Sequence, residues 1–223
     1  MTTTGRRTTI VAFYGPEPGP LDDLVADLQA RLTSTFGDGF RPRPPETVHA
    51  TVIGLERRIG TRPDIDGVAG YLDAALRNEP LCLRFGGFPE TTTHPGFDEE
   101  GPLFERTLFV QDGNVVLMGW PVDPADPDRP TNRLAALRKG CERYGFVHKY
   151  HDPDRPALLD PDAYLVLGRL QRRDHPLGEL TRPGPLARPT LIPLRPADLR
   201  IVEFEDSTLP TATSSARPLS AAG

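Results

Sequence analysis

Proline occurs 26 times and glycine 21 times in 223 residues, together about a fifth of the chain against a usual share of about 12%. Proline removes a backbone donor and clashes inside a helix, and glycine weakens helices and strands alike. The chain is therefore expected to fold as brief elements joined by stiff turns. At 37% hydrophobic residues it still carries enough apolar side chain for a real core, and its length suits one large domain or two small lobes. Collagen-like and wholly disordered architectures do not fit.

The order of elements follows from local pattern. Residues 8–14 (TTIVAFY) read as a strand stopped by Gly15-Pro16, with Phe13 assigned to core packing. Leu21, Leu24, Val25, Leu28, Ala30 and Leu32 recur at helical spacing and predict an amphipathic helix ending near Gly37. The RPRPP run at 41–45 delivers an extended chain into a second strand over 47–56 (TVHATVIGLE). A helix over 65–77 follows, then a strand over 80–88. A hairpin spans 106–120, its turn at Asp112-Gly113. After a polar loop at 121–130, Leu134, Ala135, Leu137, Cys141 and Tyr144 mark a helix that stops at Gly145. Strands at 163–170 and 199–206 flank a Pro-rich connection at 183–196. From Thr208 the Ser, Thr, Ala and Pro content predicts a disordered tail. This order gives an α+β fold with antiparallel or mixed sheets and helices packed outside. Both halves offer a helix, a Pro-containing loop and a strand, which suggests a duplicated, bilobal domain over residues 1–207 with a tail at 208–223.

Charge narrows the partners. Lys and Arg total 26 against 31 Asp and Glu, a formal net charge of −5 at pH 7. A broad basic face tracking a long duplex is not expected, while a local basic pocket is allowed. The apolar stretch at 10–13 is too brief for a signal-peptide core, and no run reaches the eighteen or so residues of a membrane helix. The expectation is a cytoplasmic protein with no membrane partner. Cys82 and Cys141 lack metal-site spacing and read as structural thiols.

The chemistry concentrates in VHATVIGLE. In a strand His49 and Thr51 share one face while Val48, Ala50 and Val52 take the other. An imidazole and a hydroxyl two residues apart can together meet one phosphate oxygen. The plain alternative is a partly exposed structural histidine. Context favours chemistry: the motif has the form H-x-T-hydrophobic, follows a β-α pair and a Pro-rich loop, and is echoed about 115 residues later by a strand ending Leu-Gly-Arg-Leu.

On these residues the chain resembles the two-histidine (2H) phosphoesterase superfamily, which includes the 2′-5′ RNA ligase-like and cyclic phosphodiesterase proteins. The resemblance covers about residues 8–206. It implies a bilobal α+β fold with a central cleft to which each lobe supplies one H-x-T/S strand. It also implies metal-independent chemistry, with no cofactor, on a small phosphodiester: a cyclic nucleotide, a 2′,3′-cyclic phosphate or a 2′-5′ linkage at a short RNA end. The first motif falls on His49 and Thr51. The second falls on Tyr164-Leu165-Val166-Leu167-Gly168-Arg169-Leu170, where Tyr164 stands for the histidine and Val166 for the hydroxyl residue. A phenol titrating near 10 is a poor base at neutral pH, and valine offers no hydrogen bond. An active enzyme would then use His49 as base and Tyr164 as acid.

His148 and His151 (VHKYHDP) could fold back over the cleft and bind substrate, and Tyr14 could reach it to stack on a base. Arg57 and Arg58 read as a polar rim, and His94 and His175 as structural. Two rival readings stand beside the enzyme. One is a catalytically silent member that keeps the cleft for a nucleotide or a protein, motivated by Tyr164 and Val166. The other is an unrelated two-lobed enzyme binding metal through His148 and His151. No P-loop, dinucleotide fingerprint or nucleophile elbow occurs.

Overall fold

Each apolar run closes at the turn residues that bound it. The structure, a computed structural model, describes residues 6–15, 19–60, 62–94, 101–150, 160–171, 177 and 184–219. The first run forms β1 (Arg7–Ala12). Helix α1 (Pro20–Phe36) starts on a proline, carries Asp22 and Asp23 in its first turn and buries Leu21, Leu24, Val25, Leu28 and Leu32, as its spacing requires. A short β2 (Phe40–Pro42) and a single helical turn at Pro45–Thr47 lead into β3 (Ala50–Gly54) and β4 (Arg57–Arg58). Helix α2 (Ile65–Asn78) is capped by Asp64, whose carboxylate accepts from the Gly67 N–H at 2.8 Å. Next come β5 (Leu81–Phe85) and the expected hairpin, β6 (Leu108–Gln111) with β7 (Asn114–Asp123). Its turn residues Asp112 and Gly113 have φ of 51° and 82°, the left-handed pair that a two-residue hairpin turn demands.

The chain continues through β8 (Asp126–Pro130), α3 (Arg133–Gly140), β9 (Phe146–Val147) and β10 (Ala163–Leu170), then β11 (Thr190–Leu194), β12 (Leu199–Phe204) and β13 (Ser215–Pro218). The strands run β11-β5-β7-β10-β3-β1-β12-β13 in one sheet, with β2 on β10, and β6 and β8 on β7, while β4 and β9 form a separate ribbon. Every described pairing is antiparallel. The fold is α+β. Apolar faces of all three helices join the sheet in the main core, including Leu28, Leu72, Leu134, Leu83 and Leu165. Among the described residues no helix is long and apolar enough to cross a membrane.

Three regions differ from the sequence reading. The loop at 121–130 and the connection at 183–196 contain β8 and β11, and RPRPP begins inside β2. These strands, like β13, contain proline, which lowers their strand signal. Each lies at an end or off the main path of the sheet, where a missing N–H breaks no inner ladder. The expected disordered tail is likewise corrected for residues 208–219. Ser215–Glu203 through Pro218–Arg200 is a paired ladder, and Leu209 and Leu219 are buried. Low hydrophobicity misled because two leucines and a backbone ladder suffice to hold it.

Candidate functional site

Strand β3 meets β10 at the pair Ala50–Leu165, the middle residues of the two motifs. Continuing that antiparallel register by one residue sets Thr51 across from Tyr164 and His49 across from Val166. Since side chains alternate, all four leave the face opposite to Ala50 and Leu165. Ala50 and Leu165 are buried, and His49, Thr51, Tyr164 and Val166 all line one cleft of about 1100 Å³. A diagonal pair such as His49 and Tyr164 is then about 7–8 Å apart in such a register.

His49 directly precedes β3, held by the turn at Pro45–Thr47. Its Nδ1 lies 2.7 Å from the Thr47 carbonyl. A carbonyl only accepts, so Nδ1 carries the proton and the neutral ring keeps its lone pair on Nε2. Burial, and then the positive charge of Arg43, push the imidazole down to about 4 against the contrary pull of the Thr47 bond. At neutral pH His49 is an uncharged base. Tyr164 behaves oppositely: burial first, then Tyr150, Asp112 and Asp162, push its phenol up to about 12. It holds its proton and packs edge-on against Phe109, with ring centroids 6.4 Å apart.

Arginine concentrates here although the chain is acidic. Arg41, Arg43, Arg106, Arg138 and Arg169 line the cleft with Glu105, Asp160 and Asp162. Arg41 and Arg169 are directly opposite across β2 and β10, and both are exposed. Like charges so placed repel, and an anion between them would relieve it. Arg43 donates from Nε to Thr47 Oγ1 at 3.2 Å and from Nη2 to the Thr208 carbonyl. Gln29 of α1 donates to the carbonyls of Arg43 and Leu167, both at 2.8 Å, tying the arginine segment to β10.

Arg138 is spent on architecture. Only 4% exposed, it donates to the carbonyls of Val52 at 2.9 Å, Thr51 at 2.7 Å and Asp160 at 2.6 Å, and its Nη1 lies 3.5 Å from the Asp160 carboxylate. It pins the first motif to the segment that opens the second. Burial raises the Asp160 carboxyl, but Arg138, His148 and Asp162 outweigh it and hold it down to about 2.

Two sequence expectations are corrected. His148 is buried beside β3: the Gly54 N–H donates to its Nδ1 at 3.2 Å, and its Nε2 faces Asp160 at 3.3 Å. It does not line the cleft, because the chain after β9 packs against Gly54. Tyr14 is also buried rather than open to a base. Its hydroxyl donates to the Leu209 carbonyl at 3.0 Å, and its ring stands edge-on to His49 at 6.1 Å, so it buttresses the imidazole. His151 and His175 lie outside the described residues. His94 is buried against Trp120, ring centroids 5.4 Å apart, and Arg57 and Arg58 pair with β9 rather than lining the cleft.

A scan against protein-family models gives no match, and a search of curated proteins gives none either. Among solved structures the chain is similar to TT0787 of Thermus thermophilus, at 17% identity over 96% of this chain and 95% of that one, with a TM-score of 0.42. It is also similar to ATU0111, a conserved protein of unknown function from Agrobacterium tumefaciens, at 14% identity over 85% and 81%, with a TM-score of 0.41.

Sequence reasoning passed over Asp162, Arg138 and Tyr150. Asp162 stands two residues before Tyr164 and so shares its face. Arg138 falls on the apolar stripe of Leu134, Leu137 and Cys141, where an arginine is expected to have buried partners. Tyr150 is 59% exposed and lines the cleft, where the sequence reading had expected Tyr14.

Proposed function

We propose that the cleft binds a small phosphodiester, a cyclic nucleotide or the 2′,3′-cyclic or 2′-5′ end of a short RNA, and catalyses its hydrolysis or transfer. The observation that carries this is the convergence of His49, Thr51 and Tyr164 on one arginine-lined cleft about the Ala50–Leu165 pair. His49 takes the proton of the attacking water or ribose hydroxyl on Nε2. Thr51 and the phenol of Tyr164 donate hydrogen bonds to the non-bridging oxygens, and Arg43 lends positive charge to the pentavalent transition state. Val166 supplies no donor, so its motif position contributes shape alone. Tyr150 and Phe109 offer rings to a base, each stacking contact contributing about 1–3 kcal/mol.

The test is turnover of 2′,3′-cyclic, 3′,5′-cyclic and 2′-5′-linked nucleotides in the presence of EDTA. We expect turnover of at least one linkage, reduced about 10²- to 10⁴-fold in His49→Ala. Binding without turnover across the panel would instead favour the catalytically silent reading, for which the valine at 166 is the specific support.

A further inference from the structure

The site as described has a base but lacks a good acid, since a phenol held near 12 gives up its proton poorly. A second proton carrier lies two residues earlier. Asp162 is 7% exposed, lines the same cleft as His49 and precedes β10 in the register that puts its side chain on the face of Tyr164 and Val166. Burial, and then the negative charge of Asp160, push its carboxyl well above the usual carboxylate range, against the pull of Arg138 and Arg106. Two carboxylates that act on each other out of water disfavour double ionisation, so one of the pair keeps a proton. Asp160 is the charged member, for Arg138 lies at 3.5 Å and His148 at 3.3 Å from its Oδ2. The proton therefore resides on Asp162.

We propose that Asp162 is the proton donor of this site, giving its carboxyl proton to the leaving oxygen of the phosphodiester. The proposal rests on the phosphodiester reading above. In hydrolysis a water oxygen forms a bond to phosphorus as its proton passes to His49 Nε2. The bond from phosphorus to the ester oxygen breaks, and that oxygen takes the proton of Asp162. Water is consumed, His49 ends protonated and Asp162 ends ionised, and solvent exchange returns both to their starting states. The groups that face Asp162 serve both halves of this cycle. Burial and the Asp160 charge keep it protonated at rest, and the positive charges of Arg138 on α3 and Arg106 before β6 stabilise the carboxylate it becomes. His148 acts through Asp160, and Tyr164 is its neighbour on β10. Asp160 and Arg138 are positioning residues.

Two esters separate an acid from a structural carboxyl: a 2′,3′-cyclic nucleotide, whose ribose alkoxide must be protonated to leave, and bis(4-nitrophenyl) phosphate, whose nitrophenolate leaves without a proton. In Asp162→Asn, a neutral isostere of the protonated carboxyl, the ratio of the first rate to the second is expected to fall about 10²- to 10⁴-fold. Tyr164→Phe should move that ratio far less. An equal loss on both esters, or a collapse of the ratio in Tyr164→Phe, would overturn the assignment while leaving the phosphodiester reading intact. If the wild-type protein turns over neither these two esters nor any linkage of the panel above, the reading falls and the donor with it. Independently of activity, infrared spectra of the wild-type protein at neutral pH should show a protonated-carboxyl stretch that moves with ¹³C-labelled aspartate and is lost in Asp162→Asn. Its absence from the wild-type spectrum would also overturn the proposal.

Discussion

Among the single residues of the cleft, one imidazole is held neutral by its surroundings. Burial is the first cause of the lowered His49 value and Arg43 the second, so the two are separable. Arg43→Met removes a positive charge and leaves the pocket filled. In an NMR titration of the ring the midpoint should rise above that of the wild-type protein yet stay below the ordinary value of about 6.5. No movement would show that Arg43 does not act on His49. His49 and Thr51 were legible in the sequence because alternation in a strand needs no tertiary information, and the structure brings both to the cleft. Tyr14 was misplaced because a ring at a strand end can turn either way. Its direction is set by the Leu209 carbonyl, 195 residues away. Asp162 was readable in principle from its i−2 relation to Tyr164, but its proton depends on Asp160, Arg138 and Arg106 meeting from three segments, which no local pattern records.

Among elements, the joint between β3 and β10 matters most, and side chains rather than a long ladder hold it. The strands share the pair Ala50–Leu165, and α3 adds the Arg138 clamp on Thr51, Val52 and Asp160. Arg138→Met would leave the Asp160 charge without its main partner and three carbonyls short of a donor. We expect a loss of about 3 kcal/mol in urea unfolding; a variant as stable as the parent would show the clamp to be incidental. Gly168 serves the neighbouring joint. A Cβ there would lie 2.5 Å from the Arg41 carbonyl and 2.5 Å from the Phe40 ring, so the glycine of Leu-Gly-Arg-Leu lets β2 lie against β10 and brings Arg41 opposite Arg169. The helices and the hairpin were legible because their periodicity or turn chemistry is local. The proline-bearing strands β2, β8, β11 and β13 were not, because an outer position in a sheet, which makes proline tolerable, is a tertiary fact.

For the whole molecule, the C-terminal segment closes both the fold and the cleft. Leu209 joins Val11, Tyr14, Val202 and Phe204 in a small core, while Ser207, Thr208 and Pro210 form part of the cleft wall. A chain ending at Asp206 loses this leucine, the β13 ladder and the acceptors of Tyr14 and Arg43. Its thermal unfolding should show a destabilisation of about 2 kcal/mol or more from Leu209 alone, and an unchanged transition would return the segment to the status of a loose tail. The arginine-lined cleft in a chain of net charge −5 places attraction for an anion at one site instead of over a surface. This suits a small phosphodiester better than a long duplex. Whether a neutral His49 is the base of such a reaction is read from kcat/KM against pH on the linkage that turns over. The acid limb, where His49 gains a proton, should fall near pH 4 and be missing from the residual activity of His49→Ala. A limb near the ordinary histidine value of about 6.5, or one that survives the loss of His49, would contradict that role.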